Sequence, residues 1–160
     1  MRRVALLAII GSLFVLVAVV SAGTSLATAP SGSTANFTYR ATIPPLHSDS
    51  NDYKVFQKNS EDIVMRELTI IPGGSSGWHF HPGPTYVIVT QGTLSLYEAN
   101  DPTCTAQRFT AGDGFVEAPG DVHVARNEGT TNLVLFITFT DVPVNGAFRL
   151  DAPSPRNCSF

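Results

Sequence analysis

Three histidines give this sequence its chemistry. His79 and His81 stand one residue apart in GWHFHPGP, and His123 follows in GDVHVARN. On a β-strand, residues i and i+2 point to the same face, so His79 and His81 can share one ion. His123, on a second strand facing the first, would complete a facial set of three nitrogen donors. Imidazole suits Zn, Fe, Ni and Cu more than Mg or Ca. Three protein ligands leave open positions for water, dioxygen or a bidentate substrate. An isolated His-x-His is commonly incidental; the third histidine, framed by glycine and proline, gives the pair its weight. The fourth, His47, lies in a polar stretch and reads as a surface residue.

The elements that must hold these side chains read as short strands cut by turns. Strand patterns run over 37–43, 53–57, 62–71, 77–81, 85–90, 93–98, 107–110, 114–117, 122–127 and 132–140. Turn signals (PGG, PGP, QG, ANDP, AGDG, APGD, NEG) separate them at the short spacing of a β-sandwich or barrel. Only VNGAFRLDA offers one short helical turn. If 77–81 lines a barrel, His79 and His81 face inward while Trp78 and Phe80 face away and pack. Asn127 reads as a turn-holding residue. Asn36 and Asn157 each open a glycosylation sequon, a pattern that often arises by chance.

The ends of the chain bound its location. MRRVALLAIIGSLFVLVAVVSA carries two arginines and then a nearly unbroken apolar run, the pattern of a secretory signal. Cleavage after Ala22 or Ala27 would release a secreted or extracytoplasmic protein; an uncleaved segment would anchor it to a membrane. Without Arg2 and Arg3, eight Lys and Arg face thirteen Asp and Glu, a net charge of −5. No basic stripe remains, which excludes nucleic acid and anionic membrane surfaces as partners. Cys104 and Cys158 both lie in the exported part, and an even cysteine count in an oxidising compartment suggests a disulfide. The expected organisation is a signal peptide over 1–27, a flexible small-residue linker over 28–36, a β-barrel over 37–150 and a tail over 151–160. The tail, with little hydrophobic content, would depend on the disulfide for its attachment.

GGSSGWHFHPGPTYVIVTQG, from Gly73 through His79 and His81 to Gly92, resembles the first motif of the cupin superfamily. GDGFVEAPGDVHVARN, from Gly112 through Gly120 and His123 to Asn127, resembles the second. The resemblance covers roughly 60–142 and extends to small exported single-domain bacterial cupins with type-2-like motifs. It implies an all-β, cupin-type antiparallel jelly-roll β-barrel with a metal in its mouth. It also implies His79, His81 and His123 as ligands, a small-molecule ligand or substrate, and a homodimer through the outer strands as the assembly on offer.

The sequence departs from the motifs twice. Ala118 stands where the second motif has proline, with Pro119 one place later. More seriously, the carboxylate position of the first motif falls on Thr85, a poor metal ligand. Tyr86 and Glu117 are the candidates to replace that ligand or to move protons as catalytic groups. Loss of one negative charge favours Zn, Fe(II) or Cu over Mn. Two functions stay open: a metal-dependent, dioxygenase-like oxidoreductase acting on a small molecule, and a non-catalytic module that captures a small ligand or metal. Sugar isomerase or epimerase chemistry is a weaker third, since it needs another acid/base histidine and only His47 remains.

Overall fold

The computed structural model describes residues 26–50 and 52–160. The signal segment expected over 1–27 lies outside the described residues as far as residue 25. Twelve strands follow in chain order. They are β1 (Ser31–Ile43), β2 (Leu46–Ser50), β3 (Tyr53–Gln57), β4 (Glu61–Ser75), β5 (His79–Phe80) and β6 (Thr85–Gln91), then β7 (Thr93–Glu98), β8 (Gln107–Thr110), β9 (Gly114–Glu117), β10 (His123–Arg126), β11 (Leu133–Val142) and β12 (Leu150–Asp151). All pairings between them are antiparallel. One sheet runs β12-β5-β10-β4-β11-β6-β9, with β1 beside β4, β7 beside β10 and β8 beside β7; β2 and β3 form a separate hairpin. The fold is an all-β jelly-roll barrel, and no helix among the described residues is long and apolar enough to cross a membrane.

The alternation of side-chain direction along each strand sets the faces. In β6, Thr85, Val87 and Val89 are buried while Tyr86, Ile88 and Thr90 are exposed, as a period of two requires. Pairing carries this alternation across the sheet. One inward row joins Val64 of β4, Phe139 of β11, Thr85 of β6 and Glu117 of β9; the next joins Arg66, Ile137, Val87 and Phe115. Below them Ile70, Val89, Leu94, Leu96, Leu133 and Leu135 close the barrel core. Burial of each such side chain contributes about 1.5–3 kcal/mol.

Four expectations are corrected. The stretch 28–36, expected as a flexible linker, holds the start of β1: from Ser31 onward its backbone pairs with β4. Small polar residues suffice there because the ladder needs only main-chain groups. The polar stretch after Pro45, expected as a loop, contains β2, an exposed strand paired to β3. Pro72-Gly73-Gly74 does not end β4, which continues to Ser75 with Gly73 at φ 77°. The helical turn expected near the C-terminus is replaced by turns and β12.

The tail folds back as the cysteines suggested: Cys104 and Cys158 form a disulfide with Cα atoms 5.4 Å apart. Closing that loop removes unfolded-chain entropy of about 4 kcal/mol in the chain-entropy account. Packing adds to it, contrary to the expectation that nothing else would hold the tail. Ala152 and Cys158 are buried against Trp78, Tyr97 and Val124, and Phe160 lies under the Arg126 guanidinium, 3.9 Å from ring centroid to carbon. β12 pairs with β5, Asp151 opposite His79, so the tethered tail is also the neighbour of the His-x-His strand.

Candidate metal centre

His79 and His123 are direct cross-strand partners in β5 and β10, which puts their side chains on one face a few ångströms apart. His81 joins them two residues along. Their ring centroids lie 4.9, 4.5 and 5.3 Å from one another, and all three are buried, at 6%, 3% and 1% exposure. Trp78 turns the other way into the core beneath the tail. Gly77 sets up the strand: its φ of 70° suits glycine, and a Cβ there would sit 2.3 Å from the Thr28 carbonyl oxygen. At the other end, a Cβ on Gly83 would meet the Thr140 oxygen at 2.0 Å, so the Pro-Gly-Pro bend can pack directly on β11.

Each histidine donates Nδ1–H to a backbone carbonyl: His79 to Gly77 at 2.8 Å, His81 to Phe148 at 2.7 Å and His123 to Asp121 at 2.9 Å. A carbonyl oxygen only accepts, so every Nδ1 carries a proton, and in a neutral ring it is Nε2 that presents the lone pair. One ring nitrogen from each residue lies within 4.8 Å of the others. Metal–nitrogen bonds are ~2.1 Å long, so an ion held by all three would draw the rings closer together. Burial holds the His79 imidazole well below its usual pKa, with the charges of His123, His81 and Arg149 acting in the same direction. Burial lowers His123 too, against the opposing pull of Glu117. Neutral rings are the metal-ligating form.

A carboxylate faces these lone pairs. Glu117 places Oε2 3.3 Å from His81 Nε2 and Oε1 3.3 Å from His123 Nε2, with its side chain 9% exposed. The distances are those of ion pairs, yet the buried His123 Nε2 has no hydrogen-bond partner. Unprotonated nitrogens facing carboxylate oxygens repel unless a proton or cation lies between them. The donor set of three imidazoles and one carboxylate therefore fits a divalent transition metal.

The cupin domain family matches residues 66–139, the segment that contains the three histidines and Glu117. That segment is a cupin domain. Among curated proteins it is 33% identical over 84 residues to auxin-binding protein ABP19b of Prunus persica, a match covering 51% of this chain and 40% of that protein. Among solved structures it resembles an oxalate oxidase at 25% identity and a TM-score of 0.43, covering 49% of this chain and 42% of that one. It also resembles an oxalate decarboxylase of Bacillus subtilis at 21% identity and a TM-score of 0.47, covering 56% and 23%. The chain thus spans less than half the length of these relatives.

The structure separates the two substitutes for the missing carboxylate of the cupin motif. Tyr86 is corrected: it is 50% exposed on the outer face of β6, because its neighbours Thr85 and Val87 occupy the inner one. Glu117 lies directly across the ladder from the buried Thr85, so both side chains leave the sheet on the same face. The carboxylate missing from β6 is present on β9. The expected bias against manganese rested on its absence and lapses with it. His47 stands on the exposed hairpin strand β2, edge-on to Phe56. Asn127 holds turns, donating to Ile70 and Thr131 carbonyls and accepting from Gly129 N–H.

The sequence reading missed two arginines. A cavity of about 120 Å³ opens beside the histidines, and Arg66 and Arg149 line it together with Glu117. Arg66 was detectable: it interrupts the inward series Val64, Leu68, Ile70 of β4. Arg149 carried no such signal, because the segment before β12 reaches the site only through the folded-back tail.

Proposed function

We propose that this cupin binds one divalent transition metal through His79, His81 and His123, with Glu117 as a fourth donor, and oxidises a small molecule there. The observation that carries the reading is the convergence of three buried imidazoles, with Glu117 oxygens 3.3 Å from the Nε2 atoms of His81 and His123. Iron, copper, zinc and nickel suit the donors; a redox-active ion would supply dioxygenase-like chemistry at its open positions.

The chain's own residues have definite tasks. The carbonyls of Gly77, Phe148 and Asp121 fix the tautomer and orientation of the three rings, as outer partners of ligating histidines do. Glu117 offers two oxygens, so one can face the ion while the other accepts a proton from the substrate. Phe139 packs against His81, with ring centroids 4.9 Å apart, and shields that side of the centre from water. The disulfide, which persists in oxidising compartments, supports a site of action outside the cytosol for the exported chain.

Metal analysis of untagged protein, together with oxygen uptake in the presence of small organic acids and phenols, tests the proposal. About one iron or copper per chain with substrate-dependent oxygen consumption is the expected result. Zinc with tight ligand binding and no turnover would assign the non-catalytic capture role instead. Absence of metal after reconstitution with each of these four ions and with manganese would overturn the centre itself.

A further inference from the structure

Arg66 and Arg149 give the cavity a charge that the metal reading does not use. Arg66 sits on the inward row of β4, between Val64 and Leu68 in the alternation. Its Nε donates to the Thr38 hydroxyl and its guanidinium lies 4.7 Å from the Phe148 ring centroid, but it meets no carboxylate among the described residues. Among the described residues neither of its terminal nitrogens has a hydrogen-bond partner. Arg149 donates through Nη2 to the Ser76 carbonyl at 2.6 Å and through Nη1 to Asp151. A guanidinium has five N–H donors, so this fork also has donors to spare.

Arg149 is close enough to disfavour the charge on Arg66: desolvation and then the charge of Arg149 lower the pKa of Arg66. With Asp151 offsetting one of them, the pair retains one net positive charge; the remaining carboxylate on the wall, Glu117, turns its oxygens to His81 and His123. Like charges drawn half out of water beside a cavity are relieved by an anion. The rest of the wall is largely apolar, including Leu68, Val87, Leu94 and Leu135. A volume of about 120 Å³ is a little below that of a cavity that takes benzene, which suits a ligand of about six non-hydrogen atoms.

We infer that the cavity takes a small organic monocarboxylate, its carboxylate held by Arg66 and Arg149 and its short apolar body laid against Leu68, Val87, Leu94 and Leu135. Planar guanidinium forks match a carboxylate two bonds at a time. The inference names the substrate class of the proposed site and rests on that reading for its function. Binding itself uses the arginines and not the ion, so the two fail separately.

Calorimetric titration of the full protein with butyrate, with its neutral isostere butyramide and with inorganic phosphate provides the test. Metal content and circular dichroism are measured on the same samples. Butyrate is expected to bind at least tenfold more tightly than butyramide. Arg66→Gln and Arg149→Gln are each expected to weaken butyrate about tenfold or more, with metal content unchanged. Should Arg149→Gln disturb the tail through its Ser76 contact, Arg66→Gln, which has no such contact, carries the test. Variants that titrate like wild type, or an amide that binds as well as the acid, would overturn the inference. Phosphate binding more tightly than butyrate would overturn the carboxylate class. Arginine-dependent butyrate binding by protein that takes up no metal would support the inference and remove the metal centre.

Discussion

Two buried polar clusters lie within the same barrel, and they are built on opposite plans. Asp62, fully buried on β4, receives the Arg40 guanidinium at 2.6 Å, the Thr42 hydroxyl at 2.7 Å and the Asn145 N–H at 2.8 Å. Donors and acceptors match, and Arg40 uses its other nitrogen on the Gly146 carbonyl. The His79–His81–His123–Glu117 cluster instead turns acceptors toward acceptors, with His123 Nε2 orphaned. A buried set that satisfies itself stabilises the fold. One that satisfies only its outward-facing atoms is prepared for something that is not part of the chain.

The comparison breaks most sharply at His123. His123→Ala is expected to reduce bound metal from about one per chain to none, while Asp62→Ala lowers the melting temperature and leaves about one metal per folded chain. Metal analysis beside thermal melts reads both, and stoichiometric metal in His123→Ala would abolish the distinction. A smaller effect belongs to the fourth donor. Glu117→Gln should weaken metal affinity at least tenfold. Because Thr85 lies opposite Glu117 on the ladder, the exchange Thr85→Glu with Glu117→Thr should recover most of that loss in a competition titration. Failure of the exchange to recover affinity would show that register is not what places the carboxylate.

Acid should act on the two clusters in different windows. The folded-state pKa values of His79 and His123 are depressed, so as pH falls below ~6.5 the unfolded chain takes up protons that the folded chain does not. Stability of the metal-free protein is therefore full above ~6.5 and declines below it, until the buried rings themselves titrate. Asp62 is depressed chiefly by the Thr42 hydroxyl, then by the Asn145 N–H, with Arg40 in the same direction. Its contribution is present above the unfolded carboxylate value of ~3.9 and is lost only as pH falls through its lower folded value. Melting temperatures across pH 3–8 should show both declines, with Asp62→Asn reducing the lower one, to which the depressed Asp101, Asp113 and Glu128 also contribute, and leaving the upper one unchanged. The smallest effect is expected at Tyr86. Since its ring faces solvent, Tyr86→Ala should leave metal content unchanged and stability within about 0.5 kcal/mol.

The spacing of the three histidines, the turns that frame them and the strand patterns over 85–90 and 132–140 were all legible in the sequence, because each is a local pattern or a fixed count along one strand. The cysteine pair was legible as well, since parity and compartment alone suggest it. Glu117 was visible as a nearby acid but could not be ranked above Tyr86 by proximity in sequence. Residue 86 is adjacent to 85 along the chain and points away from it, whereas residue 117 is 32 positions distant and stands directly across the ladder. The start of β1 and the hairpin strand β2 were missed because polar main-chain pairing leaves no apolar signature.

The sequence by itself determined which donors are available: three imidazoles, no glutamate at position 85, and one arginine out of place in an apolar strand. Tertiary structure alone decided how they combine. Strand register brought Glu117 to the space that Thr85 leaves, and the disulfide-held tail carried Arg149 and the Phe148 carbonyl to the histidines. The physical reason is that side-chain direction repeats locally along a strand, whereas contact across strands depends on register and closure, which only the assembled barrel fixes.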